Sequence, residues 1–188
     1  MSGETEDTVD DLGGKVRWGI CVLADGQPQW SANPYEVFST ASVGKVFLLG
    51  ALSKALHEGT IARGQRLFRT SEDWVGDSGI WQFMAEDELS VETLAVLISS
   101  VSDNLATNVL LRHIGIDACD AISAQASIPQ TRLLDRIRDS RGPEDPERPS
   151  QGRAEDLARF VDMIATRRLV NEQVSAETNR SRGSPKAA

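Results

Sequence analysis

The chain has 188 residues, 40% of them hydrophobic, which suits a single domain with a real core. Its formal net charge is −8 and no basic stripe offsets the acid, which argues against nucleic acid as the main partner. No apolar run is long enough to cross a bilayer and the N-terminus lacks the basic and apolar regions of a signal peptide, so the sequence reads as cytoplasmic, with no membrane partner.

In chain order, residues 1–14 carry Glu4, Glu6, Asp7, Asp10 and Asp11 among few apolar residues and read as a solvated, disordered leader. Residues 15–24 alternate and then run apolar, as a strand does. Asp25-Gly26 is a turn signal, and Gln27–Ala32 completes a hairpin that Asn33-Pro34 ends. Thr40–His57 has apolar residues on more than one face, among them Val43, Phe47, Leu49 and Leu56. It predicts a central helix stopped at Gly59. Residues 60–89 read as mostly irregular, with Trp74, Trp81 and Phe83 around the segment Gly76–Gly79. Ser90 predicts the cap of a helix over Val91–Val101, with Glu92 near its positive end. After Ser102-Asp103-Asn104 a further helix runs from Leu105 to Ile114 and stops at Gly115. Residues 127–152 hold Pro129, Pro143, Pro146 and Pro149 and predict a long loop with at most a short helix over Leu133–Ile137. Ala154–Leu169 is an amphipathic helix with Leu157, Phe160, Val161 and Ile164 on one side, and Arg180–Ala188 reads as a disordered tail. The folded domain is thus expected over residues 15–179. Cys21 and Cys119 lie far apart with no C-x-x-C and no nearby pair of histidines. They read as buried thiols rather than metal ligands, with a disulfide left open.

Two short patterns carry chemistry. Ser42-Val43-Gly44-Lys45 is an S-x-x-K motif at a helix start, where residues three apart share a face, so a hydroxyl and an amine can meet. A serine hydroxyl needs a base to take its proton. A lysine serves if burial lowers its pKa, and the helix N-terminus offers N–H groups to a developing oxyanion. With 18 serines and 4 lysines, roughly 0.4 such motifs arise by chance, so it is weak alone. Ser102-Asp103-Asn104 is a literal S-D-N at a break between two helices, and roughly 0.04 are expected by chance.

Together with Asp77–Trp81 and Val101–Asn108, these motifs resemble the serine hydrolases of the class A β-lactamase group, over about residues 15–179. The resemblance implies an α+β, β-lactamase/transpeptidase-like fold, its helical subdomain largely present and its antiparallel sheet incomplete, with the N-terminal hairpin only. It implies an acyl-enzyme at Ser42 with a β-lactam or related amide or ester as small-molecule substrate. Lys45 would act as base, Ser102 as proton relay to the leaving nitrogen and Asn104 as a partner of Lys45 and the substrate amide. Asp103 would hold the loop, and Trp81, with Trp74, would line the cleft mouth. No cofactor and no metal are implied.

Two departures qualify the resemblance. The family's deacylating glutamate should fall in residues 127–152, yet no E-x-x-L-N appears there; Asp135 and Asp139 are the candidate substitutes. No K-[ST]-G follows Asn104 either, which reads as truncation and as loss of one wall of the site. An open hairpin edge then invites self-association. The sequence therefore leaves two alternatives to an active β-lactam hydrolase: an inactive fragment or binding module, and a D-alanyl-D-alanine peptidase-like enzyme.

Overall fold

The computed structural model describes residues 16–166, 168 and 169; the expected leader and tail, and both limits of the expected domain, lie outside them. The hairpin forms as read. Strands β1 (Ile20–Ala24) and β2 (Gln27–Ala32) pair antiparallel around Asp25-Gly26, both at positive φ, the geometry that matches strand twist in a two-residue turn. A register shift between Val22 and Leu23 brings Pro28, which has no N–H to donate, opposite Leu23.

Five α-helices among the described residues build the core. Helix α1 (Lys45–Glu58) is its axis: Phe47, Leu48 and Leu52 are fully buried, and Gly59 ends it in the left-handed conformation. The first residues of the expected helix form instead a 3₁₀ turn, Ala41–Gly44. Helix α2 (Val91–Val101) starts at Ser90, whose Oγ accepts the Thr93 N–H. Helix α3 (Asn104–Ile114) follows after Ser102-Asp103 and ends at Gly115. Helix α4 (Ile116–Gln125), which the sequence reading did not single out, buries Cys119, Ile122 and Ser123. Gly50 of α1 lets α4 approach, since a Cβ there would sit 3.1 Å from Ile122. Helix α5 (Ala154–Ala165) packs across β1 and buries Phe160 against Phe47 with ring centroids 4.8 Å apart.

Two small antiparallel sheets accompany the hairpin. β4 (Arg66–Phe68) pairs with β5 (Glu88–Ser90) inside the segment expected to be mostly irregular. The other sheet runs β3-β7-β6, joining β3 (Phe38–Ser39), β6 (Arg132–Leu133) and β7 (Ser150–Gly152). The short helix expected over Leu133–Ile137 is absent. Leu133 is instead a strand residue opposite Ser150, buried at 1% exposure, and the residues after it turn around the Asp135 carboxylate. The resulting fold is α+β, β-lactamase/transpeptidase-like, with an incomplete sheet.

Candidate active site

Helix α2 ends at Ser102, whose φ of 55° puts it in the left-handed region and turns the chain sharply into α3. That turn presents three oxygens to the Lys45 side chain from α1. Nζ donates to the Ser102 carbonyl at 2.6 Å, to Ser102 Oγ at 3.0 Å and to Asn104 Oδ1 at 2.6 Å. Lys45 is 3% exposed, and this burial pushes its ammonium from 10.5 down to about 8, against an opposing pull from the Asp103 carboxylate. Asn104 is anchored in turn: its Nδ2 donates to the Asp77 carbonyl at 2.7 Å, and its backbone N–H to the Ser78 carbonyl.

Asp103 is bonded to the backbone around it. Its Oδ1 caps α3 by accepting the Ala106 N–H, and its Oδ2 accepts the N–H groups of Ile80 and Trp81 at 2.8 and 2.9 Å. Gly79 is a glycine for this reason, because a Cβ would fall 2.4 Å from the Asp103 carboxylate.

Ser42 lies exposed on the 3₁₀ turn, three residues before Lys45, and its Oγ is not among the three oxygens that Lys45 contacts. The turn is held from below. Fully buried Ser150 of β7 donates to the Ala41 carbonyl at 2.6 Å and shares a 2.7 Å hydrogen bond with the Thr40 hydroxyl. Nothing in the sequence signals Ser150, which lies 110 positions from Thr40.

Trp81 is not at a cleft mouth. It is fully buried, its indole N–H donates to the Glu86 carbonyl, and Arg69 stands over its ring. The exposed large apolar residues of the segment 60–89 are Phe68, Trp74, Ile80 and Phe83.

The long loop is tied down by its own carboxylates. Burial works to raise the Asp135 pKa, but hydrogen bonds from Arg138 and Arg141 outweigh it and hold the carboxyl below its ordinary value. Asp139 Oδ1 accepts the Gly76 N–H. Buried Asn108, one turn beyond Asn104 on α3, takes both backbone groups of Ile137: Oδ1 accepts its N–H and Nδ2 donates to its carbonyl. The same Nδ2 donates to the Asp73 carbonyl. The helical spacing of the two asparagines was the available signal for Asn108. Among the described residues both cysteines are free, no cluster of three His, Cys, Asp or Glu could hold a metal, and no helix is long and apolar enough to cross a membrane.

A seryl hydroxyl and a buried lysine at the head of a central helix, with an S-D-N turn against the lysine, stand on the fold shared by class A β-lactamases and penicillin-binding proteins. The Beta-lactamase enzyme family matches residues 4–180, and the chain belongs to that family. A β-lactamase from Sphaerobacter thermophilus is 23% identical, with a TM-score of 0.78 over 90% of this chain and 68% of that one. One from Xanthomonas campestris is 22% identical, with a TM-score of 0.70 over 91% and 63%. A variant of PBP-A, solved as an acyl-enzyme complex with penicillin G, is 21% identical, with a TM-score of 0.67 over 85% and 58%. The chain thus spans somewhat over half to two thirds of the length of these structures.

Proposed function

We propose that the chain is a β-lactamase-like serine hydrolase whose Ser42 forms an acyl-enzyme with a β-lactam or a related amide or ester. The observation that carries this reading is the Lys45 side chain, buried, with a pKa lowered to about 8 and set against Ser102 and Asn104 three residues from Ser42. An appreciable part of its population is free amine near neutral pH, so Lys45 can take the Ser42 proton as Oγ attacks the carbonyl. A neutral Lys45 has two protons and one lone pair. The Ser102 carbonyl and Asn104 Oδ1 can only accept, whereas the Ser102 hydroxyl can turn and donate. Ser102 is therefore the one partner able to exchange a proton with Lys45 and pass it to the leaving nitrogen when the C–N bond breaks. Asn104, with Oδ1 on Lys45 and Nδ2 on Asp77, holds the amine in place and borders the substrate.

Deacylation is the weak step in this reading. Asp135 and Asp139 are committed to arginines and to Gly76, and the loop backbone at Ile137 is fixed on Asn108. Neither candidate carboxylate is hydrogen-bonded to Lys45, Ser102 or Asn104, so the acyl-enzyme is expected to outlive its formation. No K-[ST]-G follows Asn104 in the sequence, so these residues do not supply that wall of the cleft. A binding module without hydrolase activity is the competing reading, drawing on the Ser42 hydroxyl standing outside the Lys45 hydrogen bonds. Incubation with a fluorescent penicillin, followed by intact mass, decides between them. The expected result is a one-to-one adduct that is lost in Ser42→Ala and released slowly. The absence of any adduct in a sample that unfolds cooperatively would overturn the proposal.

A further inference from the structure

A cavity of about 260 Å³ opens between the 3₁₀ turn Ser71–Asp73, the outer part of α3 and the start of the long loop, and none of Ser42, Lys45, Ser102 or Asn104 lines it. Its chemistry is uneven. The polar floor is already satisfied. Asn108 gives its amide protons to Asp73 and Ile137, and the Asp73 carboxylate accepts from Thr70 and from Arg112 Nε and Nη2. The walls are the side chains of Leu111, Ile116 and Leu134. The remaining hydrogen-bonding capacity at the rim is mostly cationic. Arg112 uses Nε and Nη2 on Asp73 and Phe68, and Arg136 uses Nη1 on the Glu72 carbonyl. Among the described residues no hydrogen bond is made by Arg112 Nη1 or Arg136 Nη2. Both guanidinium-bearing residues are exposed. Asp73 and Asp135 are held by arginines, so the rim's one uncommitted acid is Glu72.

We propose that this cavity is a binding site for a small amphipathic monocarboxylate, its hydrocarbon or aryl body against Leu111, Ile116 and Leu134 and its carboxylate between the Arg112 and Arg136 guanidiniums. Apolar walls over a satisfied floor reward a body that makes no polar demands. Planar guanidiniums with idle N–H groups match a carboxylate rather than a neutral group. The volume limits the ligand to about ten non-hydrogen atoms. The Glu72 carboxylate competes for the same arginines and sets a ceiling on the affinity.

The site is tested on the full chain with 3-phenylpropionate as probe and 3-phenylpropionamide as its neutral isostere, read by methyl NMR. The acid is expected to give saturable shifts at the Leu111, Ile116 and Leu134 methyls and to bind about fivefold or more tightly than the amide, a comparison that needs no variant. Arg136→Met should weaken the acid about fivefold, and Glu72→Gln should tighten it. Unmoved methyls at about ten millimolar probe would overturn the site. So would equal affinity for acid and amide, unchanged affinity in Arg136→Met, or shifts centred on Lys45 and Asn104. None of these readouts depends on acylation at Ser42, so this site and the hydrolase reading stand or fall separately.

Discussion

Replacing Lys45 by methionine keeps most of the buried volume and removes a group whose protonation is strongly coupled to folding. Lys45 titrates near 8 in the folded chain, against 10.5 as its ordinary value in an unfolded one. Between these values the unfolded chain holds a proton that the folded chain has released, so stability rises with pH. The penalty of burying the ammonium is fully present below about 8 and is relieved as pH climbs toward 10.5. Integrated from pH 7 to about pH 10, the relief is about 2.5 kcal/mol. Urea unfolding of both chains at matched pH isolates it, because every other titrating group is common to the two. The difference in unfolding free energy, native minus Lys45→Met, should grow by about 2.5 kcal/mol across that window and stay level below about pH 7.5. A difference that is flat to about 1 kcal/mol, or that shrinks with pH, would refute the buried, depressed lysine on which the acylation chemistry is built.

The kinetic counterpart follows from the same value: if the free amine is the base, adduct formation with the penicillin probe should rise about tenfold between about pH 7 and pH 9. A rate independent of pH over that range would remove Lys45 from the role. Asp103→Ala strips the acceptor from the Ile80, Trp81 and Ala106 N–H groups. It should cost about 3 kcal/mol or more in urea unfolding, and a loss under about 1 kcal/mol would show that these bonds are replaced by water. Gly44→Ala places a methyl 2.3 Å from the Ser150 Cβ. It should destabilise by about 2 kcal/mol, with part of that recovered in the double variant Gly44→Ala/Ser150→Gly; strict additivity would exclude direct contact between the two positions.

The parts of this fold legible in the sequence are those whose causes are local. Asp25-Gly26 carries its own turn chemistry, Ser90 and Gly59 mark helix ends by hydrogen-bond capacity and by φ, and the burial of α1 shows in apolar residues on more than one face. What stayed hidden depends on pairing over distance. β6 and β7 are two and three residues long, too short to show alternation, and exist because they pair with each other and, through β7, with β3. Helix α4 has the low amphipathic contrast of IDACDAISAQ, and its buried Ser123 breaks the apolar stripe. Trp81 was misplaced for a related reason. An aromatic residue in a Gly- and Asp-rich segment looks like a surface residue until Asp103 is seen gathering the Ile80 and Trp81 N–H groups and drawing the segment inward. At the candidate site, the S-x-x-K and S-D-N spacings name the groups that meet, but the Ser150 support under Ala41 has no sequence signal.

That support bears on why the site is built as it is. Among the described residues seven non-glycine residues have positive φ, and four of them, Ala41, Asp77, Ser78 and Ser102, adjoin the Lys45 constellation. Each such residue costs on the order of 1 kcal/mol or more and persists only where its surroundings over-determine it. The surroundings do so with groups that are themselves buried or bonded. Ser150 holds the Ala41 carbonyl, Asn104 holds the Asp77 and Ser78 carbonyls, and Asp103 holds the two residues after Gly79. Ser102 is fixed by its own carbonyl and hydroxyl on Lys45. The S-D-N tripeptide therefore combines two tasks: Asp103 and Asn104 clamp the strained turn, and Ser102 and Asn104 set the polarity around the lysine. A substitution at Asn104, which serves both, perturbs both, so the pH dependence of Lys45 and the stability of the Asp77–Trp81 segment should move together, a coupling that a purely structural or a purely catalytic residue would not produce.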